Sequence, residues 1–345
     1  LVPGSYWPLN TSLWVKNFHG NDPEFVYFLL SHLNLRRYAA GVSVPTLNRN
    51  HIHPVPVAIP ALSEQRAIAR VLRTIQLAEE STDAVIAASL ELKKSLMRHL
   101  FTYGPVAVDQ TVRVPLKETG FGQVPEHWEV TRFEKVVAAT MSGDWGSQER
   151  DDGRTACHVL RGTDFRRAAK GVFTGVPVRF LKHRSADQRK LELGDVLVEL
   201  SGGSKDQPTG RVFLVNARVS ERSELPLAFS NFVKRIRLSP GCDSEYFSAF
   251  WDYRYQRGAT RVYEKRTTGI RNFKLAEFLH NECIPLPPIT EQRAIEHALT
   301  TLDSKIEVEE KRWEVLNLVF ISALNSLMTG KIRVTEIEPI LEGVR

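Results

Sequence analysis

"LSEQRAIARVL" (Leu62–Leu72) and "ITEQRAIEHAL" (Ile289–Leu299) place the same Glu-Gln-Arg-Ala-Ile core twice in one chain, 227 positions apart. Each copy follows an apolar run containing proline, "VPVAIPA" before the first and "IPLPP" before the second. Each opens a long charged segment that closes near a Ser-Leu-Met triplet, Ser95–Met97 and Ser326–Met328, with Gly104 or Gly330 shortly after. The chain is therefore built on a two-fold internal repeat.

Both copies carry the signals of a helix start. Ser63 and Thr290 stand where an N-cap belongs, Glu64 and Glu291 put negative charge at the positive end of the helix dipole, and Pro60, Pro287 and Pro288 lie just before. Downstream, mostly apolar positions recur in alternating steps of three and four. The first copy gives Ile68, Val71, Ile75, Ala78, Thr82, Val85, Ser89, Leu92 and Leu96. The second gives Ile295, Leu299, Leu302, Ile306, Glu309, Trp313, Leu316, Phe320, Ala323 and Leu327. A heptad seam of this length predicts a coiled coil, with Thr82, Ser89 and Glu309 as interruptions. Each helix is expected to run for ~37 residues, roughly 55 Å. Matched lengths and similar seams point to mutual packing. The Ser-Leu-Met triplets lie 231 positions apart against 227 for the cores, which predicts a second helix four residues longer.

Composition sets outer limits. A chain of 345 residues holds two or three domains, and its 42% hydrophobic and 25% charged content is ordinary for a soluble protein. No apolar run reaches the ~20 residues that cross a bilayer, and "LVPGSYWPLN" is not a signal peptide, so the expected location is cytoplasmic, without membrane contact. Cys157, Cys242 and Cys283 are too few and too scattered for a disulfide framework or a zinc site. The formal charge is +6 and the pI about 9.2. Basic residues cluster at Arg161, Arg166, Arg167 and Lys170, at Arg179, Lys182, Arg184, Arg189 and Lys190, and at Arg254, Arg257, Arg261, Lys265, Arg266 and Arg271, where Tyr255 and Tyr263 are interleaved. Such clusters suit a polyanion, and equally a solvated basic surface.

Between the helices, residues 105–289 have a different texture. Asp195–Leu200, "TGRVFLVNARV" and "FVKRIRLS" read as strands, and "DSEYFSAFWDYRYQRG" as a helix capped by Asp243 or Ser244, which makes the class α+β. Residues 1–61 echo the last third of this block: an acid-led helix, a basic stretch, a Gly (Gly41, Gly269), an Asn, then prolines. The unit is thus domain plus helix, present twice. If the two units match in size, the first is expected to lack a front part of about 115 residues.

The order domain, helix, domain, helix, with "SEQRAI" and "TEQRAI" opening the helices and "LMTGKIRV" closing the second, resembles the specificity subunit of type I restriction–modification enzymes. "GQVPEHWEV", "LELGDVLVELSGGS", "TGRVFLV", "SNFVKRIRL" and "TTGIRNF" are similar to landmarks of that family's second recognition domain. The resemblance implies DNA target recognition domains joined by two long helices packed as an antiparallel coiled coil. Its boundaries would be the C-terminal part of a first recognition domain at 1–61, a spacer helix at 62–104, a second domain at 105–289, a second helix at 290–330 and a tail at 331–345. It implies a bipartite double-stranded DNA target with a fixed spacer. The implied partners are two modification subunits that methylate adenine with S-adenosylmethionine, and motor-nuclease restriction subunits that use ATP and Mg²⁺. No cofactor is expected on this chain.

The residues themselves offer no catalytic constellation. Asp195 and Glu199 flank a strand as metal-binding acids do, but Ser201 stands where a nuclease has its basic residue. The glycines 202, 203 and 210 form no Walker loop, and "HIHP" at His51 and His53 reads as a solvated loop. Candidate DNA contacts are Arg161, Arg166, Arg167, Lys182, Arg184, Ser201, Lys205, Arg257, Arg261, Lys265, Arg266 and Arg271, placed on loops that a scaffold presents. Helix–helix packing is expected at Ile68, Val71, Ile75, Val85, Leu92, Leu96, Leu299, Leu302, Ile306, Trp313, Leu316, Phe320 and Leu327. Two other classes fit less of the chain: a fragment of a fused restriction endonuclease–methyltransferase, and a coiled-coil adaptor that binds only protein.

Overall fold

The computed structural model describes residues 7, 13–40, 46–204, 207–267 and 270–334. Two compact units divide the chain, Leu1–Glu91 with Asp303–Arg345, and Leu92–Leu302. The helices that organise them are α1 (Pro23–His32), α2 (Leu62–Tyr103), α3 (Ser244–Gln256), α4 (Leu275–Asn281) and α5 (Ile289–Met328). Each long helix contributes one end to each unit.

The first unit packs α1 against the start of α2 and the end of α5. Asp22 caps α1 by accepting from the Phe25 N–H, Pro23 occupies the first turn, and Phe25, Phe28 and Leu29 face inward. They share a buried cluster with Ile68, Val71, Leu72 and Ile75 of α2 and with Leu327 and Met328 of α5. Phe320 closes on Phe28 with ring centroids 6.1 Å apart.

The second unit holds a four-stranded antiparallel sheet in the order Val212–Leu214, Val196–Glu199, Val233–Leu238, Val137–Ser142. A mixed sheet orders Leu227–Phe229, Arg154–Leu160 and Val178–Lys182. A third runs Ser201–Gly202, Ile270–Phe273, Glu264–Thr267. The main core gathers Tyr246, Phe247, Phe250 and Trp251 of α3, Phe278 of α4, Met97, Leu100 and Phe101 from the end of α2, and Ile295 and Leu299 from the start of α5. Helix α3 is capped by Asp243 as its sequence predicts, and Trp251 Nε1 donates to the Gly210 carbonyl at 2.9 Å. "NARV", expected as the tail of a strand, instead opens the short helix Ala217–Arg222, because the Asn216 side chain accepts from the Val219 N–H.

The repeated core now has a physical reason. Gln65 is buried, accepts from the Asp22 N–H at 2.9 Å, and donates to Asn21 Oδ1 and the Pro60 carbonyl. Gln292 is buried too, accepts from the Asp243 N–H at 2.8 Å, and donates to the carbonyls of Gly241 and Pro287. In both units one glutamine therefore bolts a long helix to the capped start of the shorter helix beside it. Glutamate behaves in parallel: Glu64 accepts from Arg333, and Glu291 from Trp128 Nε1 with His127 alongside.

Several expectations about the helices are corrected. Both begin ahead of the expected N-caps, at Leu62 and Ile289. The capping carbonyls belong to Ala61 and Pro288, so Ser63 and Thr290 lie inside the first turn. The helices span 42 and 40 residues, longer than ~37, and the second is not the longer one, since α2 continues past Met97 to Tyr103. Along α5 the expected seam residues are buried or half-buried throughout. On α2, Val85 and Leu92 are exposed (38% and 57%), while the buried Leu72, Thr82 and Ser89 and the half-buried Glu79, Ile86 and Lys93 continue the inward face. From Thr82 onward the second column of that seam follows the first by four residues and not by three. Thr82 settles its buried hydroxyl on the Ala78 carbonyl at 2.8 Å.

One contact is present in the second unit alone. Glu245 of α3 is hydrogen-bonded to Glu296 of α5, whose counterpart in the first repeat is Ala69. Burial, that bond, and the charges of Glu296 and Asp243 push the Glu245 carboxyl up to about 7. A carboxyl raised in the folded state contributes stability that is complete below its unfolded value of about 4.5 and is lost as pH rises through about 7. Glu296→Ala is accordingly expected to raise the melting temperature at pH 8 and not at pH 5. Parallel melting curves at the two pH values would refute the shared proton.

Candidate nucleic-acid interface

Strand Val196–Glu199 ends on a buried carboxylate. Glu199 accepts from Arg211 through Nε at 2.9 Å and a terminal nitrogen at 2.6 Å, which holds the guanidinium firmly protonated. A Cβ placed on Gly162 would lie 2.4 Å from Glu199 Oε1, so the loop before Phe165 closes over the carboxylate only with glycine there. "LRGTDF", "VELSGG" and "TGRVF" thus meet at one buried ion pair. Asp195 is likewise engaged, accepting from Arg237 at 2.8 and 3.3 Å. The two acids that resemble a metal-binding pair in sequence serve the scaffold, each with its own arginine.

The candidate contact residues sort by what already holds them. Arg161 forks onto buried Asp164 with two 2.9 Å bonds and shapes its own loop. Arg271 reaches Glu264 at 3.2 Å, and Glu264 also accepts from the Thr209 N–H and hydroxyl. Tyr255 and Tyr263 donate to the Pro208 carbonyl and to Glu282, so both phenols are used internally. Ser201 donates to Asn272 Oδ1 at 2.5 Å.

The remainder face water. Arg166 and Arg167 are exposed on the single turn Phe165–Ala168, whose Phe165 and Ala168 are buried. Lys182 and Arg184 are exposed at the start of the helix His183–Arg189. Arg257 lies over the Tyr253 ring at 5.3 Å, and Arg261 and Lys265 are exposed beyond it. Among the described residues no ion pair engages these seven side chains. Lys205 lies outside the described residues; Arg266 is placed by its backbone, opposite Arg271, and its side chain is outside them too.

The third sheet brings part of this set together. Ser201 pairs with Asn272, and Asn272 with Lys265, so three polar side chains form a row across adjacent strands. Asn272 escaped the sequence reading, although an Asn can fork onto adenine as Arg does onto guanine. Only the strand register reveals its place beside Ser201 and Lys265.

A family model described as "Type I restriction modification DNA specificity domain" matches residues 184–318, which span that sheet, α3, α4 and most of α5. The type I restriction enzyme MjaVIII specificity subunit of Methanocaldococcus jannaschii is 24% identical over 340 residues, covering 92% of this chain and 72% of that protein. Residues 184–318 are a type I restriction–modification DNA specificity domain, and the chain as a whole is similar to specificity subunits. The crystal structure of a type I restriction–modification system S subunit from M. genitalium shares the fold, with a TM-score of 0.54 at 13% identity, over 88% of this chain and 72% of that one. A specificity subunit is the non-catalytic component of its system, and the engaged states of Asp195 and Glu199 accord with that role. Among the described residues no helix is long and apolar enough to cross a membrane.

Proposed function

We propose that this specificity subunit reads a bipartite double-stranded DNA target in the cytoplasm, and directs adenine methylation and cleavage carried out by partner subunits. The observation that carries the reading is the repeated construction: two units, each with a capped helix bolted by a buried glutamine to a long helix shared with the other unit. Two such units suit two half-sites, and helices with one end in each suit a spacer. The candidate contacts Arg166, Arg167, Lys182, Arg184, Arg257, Arg261 and Lys265 supply positive charge for the DNA. Val308, Val315, Leu318, Val319 and Ile321 leave an exposed apolar stretch on α5, which supports docking of protein partners. Those partners are two modification subunits that use S-adenosylmethionine, and restriction subunits that use ATP and Mg²⁺.

The test is to express the subunit with its modification partners and map methylated adenines, for the native chain and for one with four residues inserted beside Thr82. One added turn displaces the attached unit by ~6 Å, about one or two base pairs at roughly 3.4 Å per step. The spacer between half-sites should lengthen by that amount while both half-sites stay the same. An unaltered spacer with activity retained would reject the spacer role of the helices.

A further inference from the structure

The two units share one more element, and it lies on their surface. In the first, α1 ends at His32 and Asn34 takes the left-handed backbone (φ 46°) to open the 3-10 turn Leu35–Tyr38. In the second, α3 ends at Gln256 and Gly258 (φ 81°) opens the 3-10 turn Ala259–Tyr263. Each turn feeds directly into an antiparallel pair of strands. Ala39 faces Leu47 and Ala40 faces Thr46; Glu264 faces Phe273 and Lys265 faces Asn272. A helix follows in both, Arg49–Ile52 or α4, and the chain then reaches the proline that the buried glutamine holds.

Exposed cations lie on both elements: Arg36 and Arg37 on the first turn, Arg261 on the second turn and Lys265 on the strand that follows it. Among the described residues none of the four enters an ion pair, and Arg37 stacks on and donates to Tyr38. Arginines of the second element that are paired, Arg254 with Glu282 and Arg271 with Glu264, are the half-buried ones. The element therefore spends its inner charges on its own acids and leaves its outer charges free.

We infer that these two turn-and-hairpin elements are sequence-independent clamps on the DNA backbone, and that Arg36 and Arg37 do in the first unit what Arg261 and Lys265 do in the second. The inference rests on the DNA-reading function proposed above. An element kept in both units suits what two half-sites have in common, which is the sugar–phosphate backbone. Base readout requires side chains that differ between sites, and phosphate contacts fix register without carrying sequence. Each cation that neutralises a phosphate releases counterions, so such contacts are counted by the salt dependence of binding.

Binding of the full chain to a labelled random-sequence duplex, measured by anisotropy over a KCl series, tests this without knowledge of the target. Arg36→Ala with Arg37→Ala, and Arg261→Ala with Lys265→Ala, should each flatten the slope of log K against log salt by up to ~1.8, about 0.9 per lost phosphate contact. Arg36→Lys with Arg37→Lys should restore the slope. Removing two charges from the long helix, Lys311→Ala with Arg312→Ala, should leave it unchanged. Methylated motifs mapped in cells should be identical for all variants. An unchanged slope in either hairpin variant, or an altered motif, would overturn the clamp. A native chain that binds no duplex at low salt would instead bring down the DNA-reading function itself.

Discussion

Replacing Ile75 by aspartate is expected to unfold the first unit or come close to it. Ile75 is 4% exposed and shares its cluster with Phe25, Phe28, Leu72 and Leu327. The substitution forfeits apolar burial worth about 2–5 kcal/mol and strands a carboxyl where it must either pay desolvation or hold a proton. At roughly 2–4 °C per kcal/mol the melting temperature should fall by on the order of 10 °C or more. Leu316→Asp should cost less because Leu316 is only half-buried, and Val85→Asp should be nearly silent because Val85 faces solvent. Circular dichroism melts of the three variants check the order. Equal losses at Ile75 and Val85 would mean that the inward face of α2 has been assigned to the wrong column.

The second large effect is expected at Glu199. Glu199→Ala leaves the Arg211 guanidinium, 19% exposed, with no acceptor, and opens a hole beneath Gly162. Breaking one side of a buried pair costs about 3–5 kcal/mol, most of it the penalty of the orphaned charge. Glu199→Ala combined with Arg211→Met should therefore be less destabilising than Glu199→Ala alone, a coupling that urea titration of the single and double variants measures. Additive losses would mean that the two side chains act separately. Since the loop with Arg166 and Arg167 rests on this pair, random-duplex affinity should fall in Glu199→Ala and recover in part in the double variant.

Much of the fold can be read from the chain because its signals are local. The capped start of α3 needs only Asp243 and the aromatic spacing after it, and the seam of α5 needs only apolar residues at steps of three and four. The seam of α2 misleads because polar side chains fill its second column: Glu79 and Lys93 are half-buried there, while apolar Val85 and Leu92 point away. Hydropathy alone cannot show a polar residue lying along an inward face. The same limit governs the basic residues. Their type suits DNA, but whether one is free depends on an acid elsewhere in space: Asp164 three residues from Arg161, Glu264 across a hairpin from Arg271, Glu199 on the neighbouring strand from Arg211. Gln65 and Gln292 were visible as a repeat; their task was not, because their partners Asp22 and Asp243 lie more than forty residues upstream.

The sharing of α5 between units has a consequence for the order in which the protein matures on the ribosome. Phe25, Phe28, Leu72 and Ile75 are made early, yet their cluster is completed by Phe320, Leu327 and Met328, roughly 250 residues later. At about 5–20 residues per second they wait on the order of 10–50 s before their partners emerge. The second unit draws only on residues up to Leu302, so it can finish first although it is translated second. The nascent chain therefore carries an uncovered apolar surface while the residues between Ile75 and Phe320 are made. A chaperone that holds such surfaces should be found on ribosomes translating the middle of this message, and should leave once α5 has cleared the exit tunnel.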